Sequence, residues 1–288
     1  MTFHAHPDDE SSKGPATVAR YHAAGVRTVL VCATGGEEGD ILNPAMDTPE
    51  VRADLTMLRR SELAAAAAVI GYDEVVMLGY RDSGMAGTPA NENPECFARA
   101  PLEEGVGSLV AVIRRVRPQV VVTYGDDHSG YPHPDHIRTH EVGVAAFSAA
   151  GDPSAYPESG PAWRPLKLYY TAWSRTRMLA THAKFLELGM ESPFSDEWLA
   201  RGSGGDESVT TRVDIASWAD VRTDALRAHA TQVDPTSPRW FGLPADVART
   251  VHPFEDYTLA RDLTGLGKLD AGELEGDLFR GVGGAPIA

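Results

Sequence analysis

The chain has 288 residues, of which 42% are hydrophobic and 23% charged, enough for one large core or two unequal ones. A net charge of −15 argues against a nucleic-acid partner, because phosphate recognition needs clustered Lys and Arg. No apolar run approaches the roughly 18–20 residues that cross a bilayer, so no membrane partner is expected.

Residues 1–6 offer neither a basic segment nor an apolar one, and a cytoplasmic location is expected. A helix over 16–24 ends at Gly25, and the β-branched run 26–33 reads as a buried strand. The alanine-rich 55–70 predicts a helix stopped by Gly71, followed by a strand over 74–78. A helix over 102–117 is halted by Pro118, a strand over 119–124 follows, and then a helix over 137–150. After the Gly/Pro/Ser-rich 151–160 comes a strand over 166–173. Residues 192–207 read as an irregular polar loop, 220–232 as a returning helix, and 281–288 as a disordered tail. Cys32 and Cys96 are far apart and read as reduced small hydrophobes.

Strands alternating with helices of this length predict right-handed crossovers and an α/β fold. It is a Rossmann-like, mostly parallel sheet with helices on both faces, plus a smaller C-terminal α+β lobe. The expected division is a metal-binding catalytic domain over 1–165 and a substrate-pocket lobe over 166–288. Ligand sites in such sheets sit at strand carboxyl ends, which directs attention to the loops after Ala5, Ala33, Leu78 and Tyr124.

Two of those loops carry chemistry. His4-Ala5-His6-Pro7-Asp8-Asp9-Glu10 follows a short first strand that Pro7 must end. His6 and Asp9 then share one tight turn, where imidazole and carboxylate can ligate zinc or ferrous iron; a solvated, helix-capping acidic turn is the other reading. Tyr131-Pro132-His133-Pro134-Asp135-His136 places two histidines on a stiff turn entering a helix. On its own this is either a cap or a ligand-bearing loop. Taken together, two His and one carboxylate on neighbouring strand ends make a catalytic metal arrangement. His4 shares a strand with His6 and reads as a core residue or a support to the site. His229 and Gln232 lie three apart on one helical face, where packing and contact with the site are both open. Arg59 and Glu62 allow a surface ion pair as well as a ligand contact.

HPDDE followed by HPDH resembles the LmbE-like deacetylases, relatives of the N-acetylglucosaminyl-phosphatidylinositol deacetylases. The resemblance extends to residues 81–88 (RDSGMAGT) and 229–232 (HATQ). Within that family the chain is most similar to the mycothiol-related members. One of these deacetylates an N-acetylglucosaminyl-inositol, and the other cleaves mycothiol S-conjugates. Residues 11–14, 39–47 and 167–170 favour the amidase type, with Lys13 standing where the deacetylase has a smaller polar residue; 81–88 matches the deacetylase loop. The resemblance implies one Zn2+ per chain (Fe2+ being an alternative) on His6, Asp9 and His136, with Asp8 as general base. It further implies His133 as general acid, acting as an imidazolium oriented by Asp135, and Tyr131 as oxyanion donor. Lys13, Arg59, Asp82, His229, Gln232 and Asp40 (where relatives more often carry Glu) would meet the substrate, a pseudo-disaccharide thiol conjugate. A deacetylase of the unconjugated precursor is the alternative activity. A non-catalytic metal-dependent sugar-binding module is the alternative class, although binding alone needs neither the base Asp8 nor the acid His133.

Overall fold

The computed structural model describes residues 1–128, 131–195, 199, 206–267, 269, 270 and 272–283. Strand β1 (Thr2–His4), β2 (Val29–Thr34) and β4 (Val120–Thr123) are buried at every position, as expected of strands covered on both faces. With β3 (Glu74–Tyr80) and β5 (Lys167–Ala172) they form the parallel part of one sheet, in the order β3-β2-β1-β4-β5. Beyond β5 the same sheet continues through β7 (Phe254–Asp262) to β6 (Thr211–Asp214), with β7 antiparallel to both neighbours. The sheet therefore runs across residue 165.

Side chains alternate between the two faces. Phe3, Val31 and Ala33 pack on α5 (Leu102–Val116) and α6 (Pro134–Ala149) through Leu109, Ile113, Val142 and Ala146. Leu30 and Cys32 point the other way, onto Leu63 of α4 (Leu55–Ile70). On that face α4 packs with α2 (Pro15–Ala23) and α8 (Ala219–Ala228) through Val18, Ala66, Ile70 and Ala225. Each fully buried Leu or Ile contributes about 1.5–3 kcal/mol, so these two layers stabilise the sheet from both faces. The short α1 (Asp9–Ser12) follows β1, α3 (Pro49–Ala53) precedes α4, and α7 (Arg175–Glu187) follows β5. Two more short helices, α9 (Pro238–Phe241) and α10 (Ala245–Val251), lead into β7.

The boundaries differ from the sequence expectation at specific places. Helix α6 begins at Pro134 rather than 137, because His133 caps it and Pro134 suits its first position. Helix α8 ends at Ala228, so His229 and Gln232 lie in the turn after it and not on a helical face. His6 lies beyond the end of β1, so it does not share the strand of His4. Strand β7 has no counterpart in the sequence reading. Its buried Glu255 and Asp256 break the apolar pattern, and they are tolerated because both carboxylates are hydrogen-bonded, Glu255 by the Ala16 and Thr17 amides. Of the expected loop 192–207, residues 196–198 and 200–205 lie outside the described residues, as do 284–288 of the expected tail. Among the described residues no helix is long and apolar enough to cross a membrane.

Strand order places the topological switch between β1 and β4, since the chain winds outward in one direction from β1 and in the other from β4. The loops carrying the two histidine motifs leave the carboxyl ends of these two adjacent strands. A cavity of about 900 Å³ opens at the opposite, amino end of the sheet, lined by Met1, Tyr21, Tyr72 and Val120 among others, away from both motifs. Lys167 and Tyr169 also belong to that end: both bond the buried Glu275, at 3.0 and 2.6 Å.

Candidate metal centre and active site

Both histidine loops converge. Nδ1 of His6 and Nε2 of His136 each lie 3.4 Å from Oδ2 of Asp9, and all three side chains are buried. Ligands at about 2.0–2.1 Å from a tetrahedral zinc sit about 3.4 Å from one another, so the spacing fits one such ion. Burial pushes the His136 imidazole down to about 4, leaving it neutral and able to ligate. On Asp9, burial disfavours the charge, but Lys13, His136 and His6 outweigh it and hold the carboxyl well below its usual range. Tyr124, at the end of β4, donates to Oδ2 of Asp9 at 2.7 Å and accepts the Ala5 amide at 2.8 Å, tying the two loops together.

The Nε2 side of His6 faces carboxylates, Asp135 at 3.2 Å and Asp82 at 3.6 Å. Burial opposes a charge on this ring, yet Asp135, Asp82 and Asp9 together keep its pKa well above the ordinary value. A ligating histidine commonly donates its second N–H to a carboxylate, and Asp135 occupies that position. Asp135 is itself fixed by the Ser83 amide at 2.9 Å and by the Ser83 hydroxyl. This corrects one expectation: the Asp135 carboxylate reaches His6 and not His133. Only the Asp135 amide meets His133, donating to its Nδ1 at 3.2 Å as the helix cap.

That cap bears on His133. An imidazolium has no lone pair at Nδ1 to accept the amide, and burial, followed by the nearby His6, lowers the ring's pKa. With Nδ1 accepting that amide, Nε2 is the ring nitrogen left to donate a hydrogen bond. Tyr131 is 56% exposed, with its ring 5.8 Å from that of His133 and 5.2 Å from that of His136. His6, Asp82 and His133 form a second group able to hold a cation, but it shares His6 with the first.

Asp8 stands beside the cluster without joining it. Its φ of 108° is a left-handed conformation that a non-glycine residue rarely adopts. Oδ2 of Asp8 accepts from Arg59 at 3.2 Å. Burial raises the Asp8 carboxyl pKa while Arg59 pulls it down, and the net shift is upward.

The remaining expected substrate contacts are distributed unevenly. Arg59 is buried and bonds the Gly36 carbonyl and the Pro7 carbonyl (2.5 Å) besides Asp8; a Cβ at Gly36 would meet its guanidinium, so glycine is required there. Its partner is not Glu62, which accepts both the amide and the hydroxyl of Thr231. The Lys13 ammonium bonds Oδ1 of Asp9. Asp82 accepts from the amides of Gly84 and Glu38, and Asp40 is exposed on its loop. His229 is engaged by Glu10, and Gln232 by Thr231. His4 packs its buried ring 5.6 Å from Tyr124, with burial lowering its pKa to about 4, and is a core residue. Tyr124, Ser83 and Glu10 are the supports that sequence reasoning missed; only the position of Tyr124 at a strand's carboxyl end could have marked it.

A family profile described as GlcNAc-PI de-N-acetylase, PIG-L, matches residues 1–147. The chain belongs to this family. Members of the PIG-L family hydrolyse amide bonds with a metal, and this chain is a hydrolase of that kind with a His/Asp cluster suited to a divalent ion. It is 43% identical to a mycothiol S-conjugate amidase of Streptomyces coelicolor, over 98% of this chain and 96% of that protein. It is 42% identical to a 1D-myo-inositol 2-acetamido-2-deoxy-alpha-D-glucopyranoside deacetylase of Thermobispora bispora, over 98% of each. Among solved structures, the N,N'-diacetylchitobiose deacetylase of Pyrococcus horikoshii shares the fold, with a TM-score of 0.62 at 17% identity, covering 90% of this chain and 82% of that one.

Proposed function

We propose that this PIG-L family member is a zinc-dependent amidase that hydrolyses the amide joining an N-acetylcysteine S-conjugate to glucosaminyl-inositol. The observation that carries amide hydrolysis is the buried His6–Asp9–His136 triangle with the unligated Asp8 beside it. The S-conjugate as substrate is supported by the 43% identity to an amidase of that name and by Lys13.

A divalent ion held by His6, Asp9 and His136 would polarise the amide carbonyl and make a water nucleophilic near neutral pH. Asp8 takes the proton from that water, its position fixed by Arg59 and by the turned backbone. As the water oxygen bonds to the carbonyl carbon, negative charge develops on the carbonyl oxygen, and the Nε2–H of His133 and the Tyr131 phenol would donate to it. Breaking the C–N bond requires a proton on nitrogen. Asp8, which took the proton from the water, returns it there. Its raised pKa suits both halves of that exchange.

Hydrolysis of the N-acetyl group of unconjugated N-acetylglucosaminyl-inositol is the second reading, favoured by the 42% identity to a deacetylase of that substrate. The same residues serve it, with acetate as the acyl product. Turnover of bimane-labelled mycothiol compared with acetate release from the precursor decides between them. The amidase is expected to prefer the bimane conjugate, and acetate release hundreds of times faster would overturn that assignment.

A further inference from the structure

Segment 81–88, which from sequence resembles a substrate-facing loop, sets one fully buried hydroxyl against the edge of the metal cluster. Oγ of Ser83 accepts the Ala98 amide at 2.9 Å and gives its own proton to Oδ1 of Asp135. The Ser83 amide donates to Oδ2 of the same carboxylate at 2.9 Å. One residue thus holds both oxygens of Asp135. Its own seat is firm. Arg81 pairs with Cys96 in a single parallel bridge, the Phe97 amide bonds the Arg81 carbonyl at 2.9 Å, and Phe97 packs in the core against α5.

Asp135 in turn faces His6. Its Oδ2 lies 3.2 Å from Nε2 of that ring, while Nδ1 is turned toward Asp9, 3.4 Å away. A ring that gives its Nε2–H to a carboxylate presents the Nδ1 lone pair on its other side, where Asp9 and His136 complete the triangle. A carboxylate free to rotate would not hold the ring in that orientation, and the two bonds from Ser83 prevent the rotation. Asp82 is no substitute. Its Oδ1 is 3.6 Å from Nε2 of His6, beyond hydrogen-bond range, and already accepts the Gly84 amide at 2.8 Å. Asp135 also precedes His136 in the first turn of α6, so the same hold bears on a second member of the triangle.

We propose that Ser83 is a positioning residue for the metal: acting through Asp135, it fixes the orientation and tautomer of His6 and so sets how tightly the ion is held. The inference rests on His6, Asp9 and His136 as the metal's seat and deepens that reading.

Zinc affinity, measured by competition with a chromophoric chelator, tests this without turnover. Ser83→Ala removes a single oxygen and is expected to weaken zinc binding about tenfold or more, and Asp135→Asn by a similar factor. Both changes in one protein should weaken it no more than Asp135→Asn does alone, because they act along one path. At saturating zinc the KM of the Ser83→Ala protein should stay within about twofold of wild type. Unchanged zinc affinity in Ser83→Ala, whatever its stability toward urea, overturns the proposal, as do losses that multiply in the double variant. A raised KM with unchanged affinity also overturns it and makes the segment a substrate contact. A wild-type protein that binds no zinc overturns the metal site and the proposal together. The expected affinity losses in a protein without amide turnover support the proposal and overturn the hydrolase assignment instead.

Discussion

Nε2 of His229 lies 2.6 Å from Oε1 of Glu10, and neither side chain reaches solvent. Burial alone would neutralise His229, but Glu10 raises its pKa, and the shift of Glu10 is downward in step, so the contact is a buried ion pair. The other Glu10 oxygen accepts the amide of Asp8 at 2.9 Å. The pair thereby joins the turn after α8 to the left-handed backbone that presents the carboxylate of Asp8, the proposed base. Glu10→Ala leaves a buried imidazolium without its partner and is expected to destabilise the fold by about 3 kcal/mol. Urea denaturation measures this, and Glu10→Ala with His229→Ala together should cost less than the sum of the two. Additive losses would show that the two side chains do not act as a pair.

Asp8→Asn separates chemistry from metal binding. Asparagine tolerates positive φ and keeps the side chain's shape, but it cannot accept a proton. Because Asp8 lies outside the His6–Asp9–His136 triangle, the variant should retain about one metal ion per chain while kcat falls about 10²-fold to 10⁴-fold. Elemental analysis beside steady-state kinetics checks both halves. Turnover near the wild-type rate would remove Asp8 from the mechanism.

Metal stoichiometry tests the geometry of His6. The two candidate clusters share this one ring, and filling both would require a bridging imidazolate whose Nε2 no longer donates to Asp135. Chelation should therefore abolish turnover, and about one equivalent of zinc per chain should restore it. Ferrous iron under anaerobic conditions is the comparison, since a site with two His and one carboxylate accepts either. Two equivalents per chain would show that Asp82 and His133 hold a second ion.

The fold's first half is legible because its physics is local. Apolar runs such as 29–34 and 120–123 can only be buried strands, and the Gly71 and Pro118 stops fall where helices end. The candidate metal cluster is legible for the same reason, His6, Asp9 and His136 each lying within a short, Pro-stiffened motif. What connects distant segments is not. Tyr124 reaches Asp9 across 115 positions and Ser83 reaches Asp135 across 52, and although one ends a strand and the other lies in the 81–88 segment, neither neighbourhood names the distant partner. Arg59 reads as a substrate contact, and nothing in its own segment shows that Gly36 and Gly39 leave room for its guanidinium inside the protein. Strand β7 is hidden because its inward Glu255 and Asp256 look like loop residues to any hydrophobicity pattern, and the groups that satisfy them lie up to 239 positions away.

Asp256 gives the fold a predictable acid limit. Burial raises its carboxyl, but hydrogen bonds from His252 (3.0 Å), Ser174 and Arg212 (2.7 Å) outweigh that and hold it at about 2, below the model-peptide value near 3.9. A carboxyl whose folded pKa is depressed stabilises the fold fully above its unfolded pKa and loses that contribution as pH falls through the folded value. The window is therefore about pH 4 down to about pH 2, and nearly two pKa units correspond to about 2–3 kcal/mol. Asp256→Asn should remove this contribution: the variant is less stable than wild type at pH 6, and the gap narrows as pH drops through the window. Urea titrations at several pH values measure it. A gap that stays constant from pH 6 to pH 3 would mean that the folded protein does not depress the Asp256 pKa.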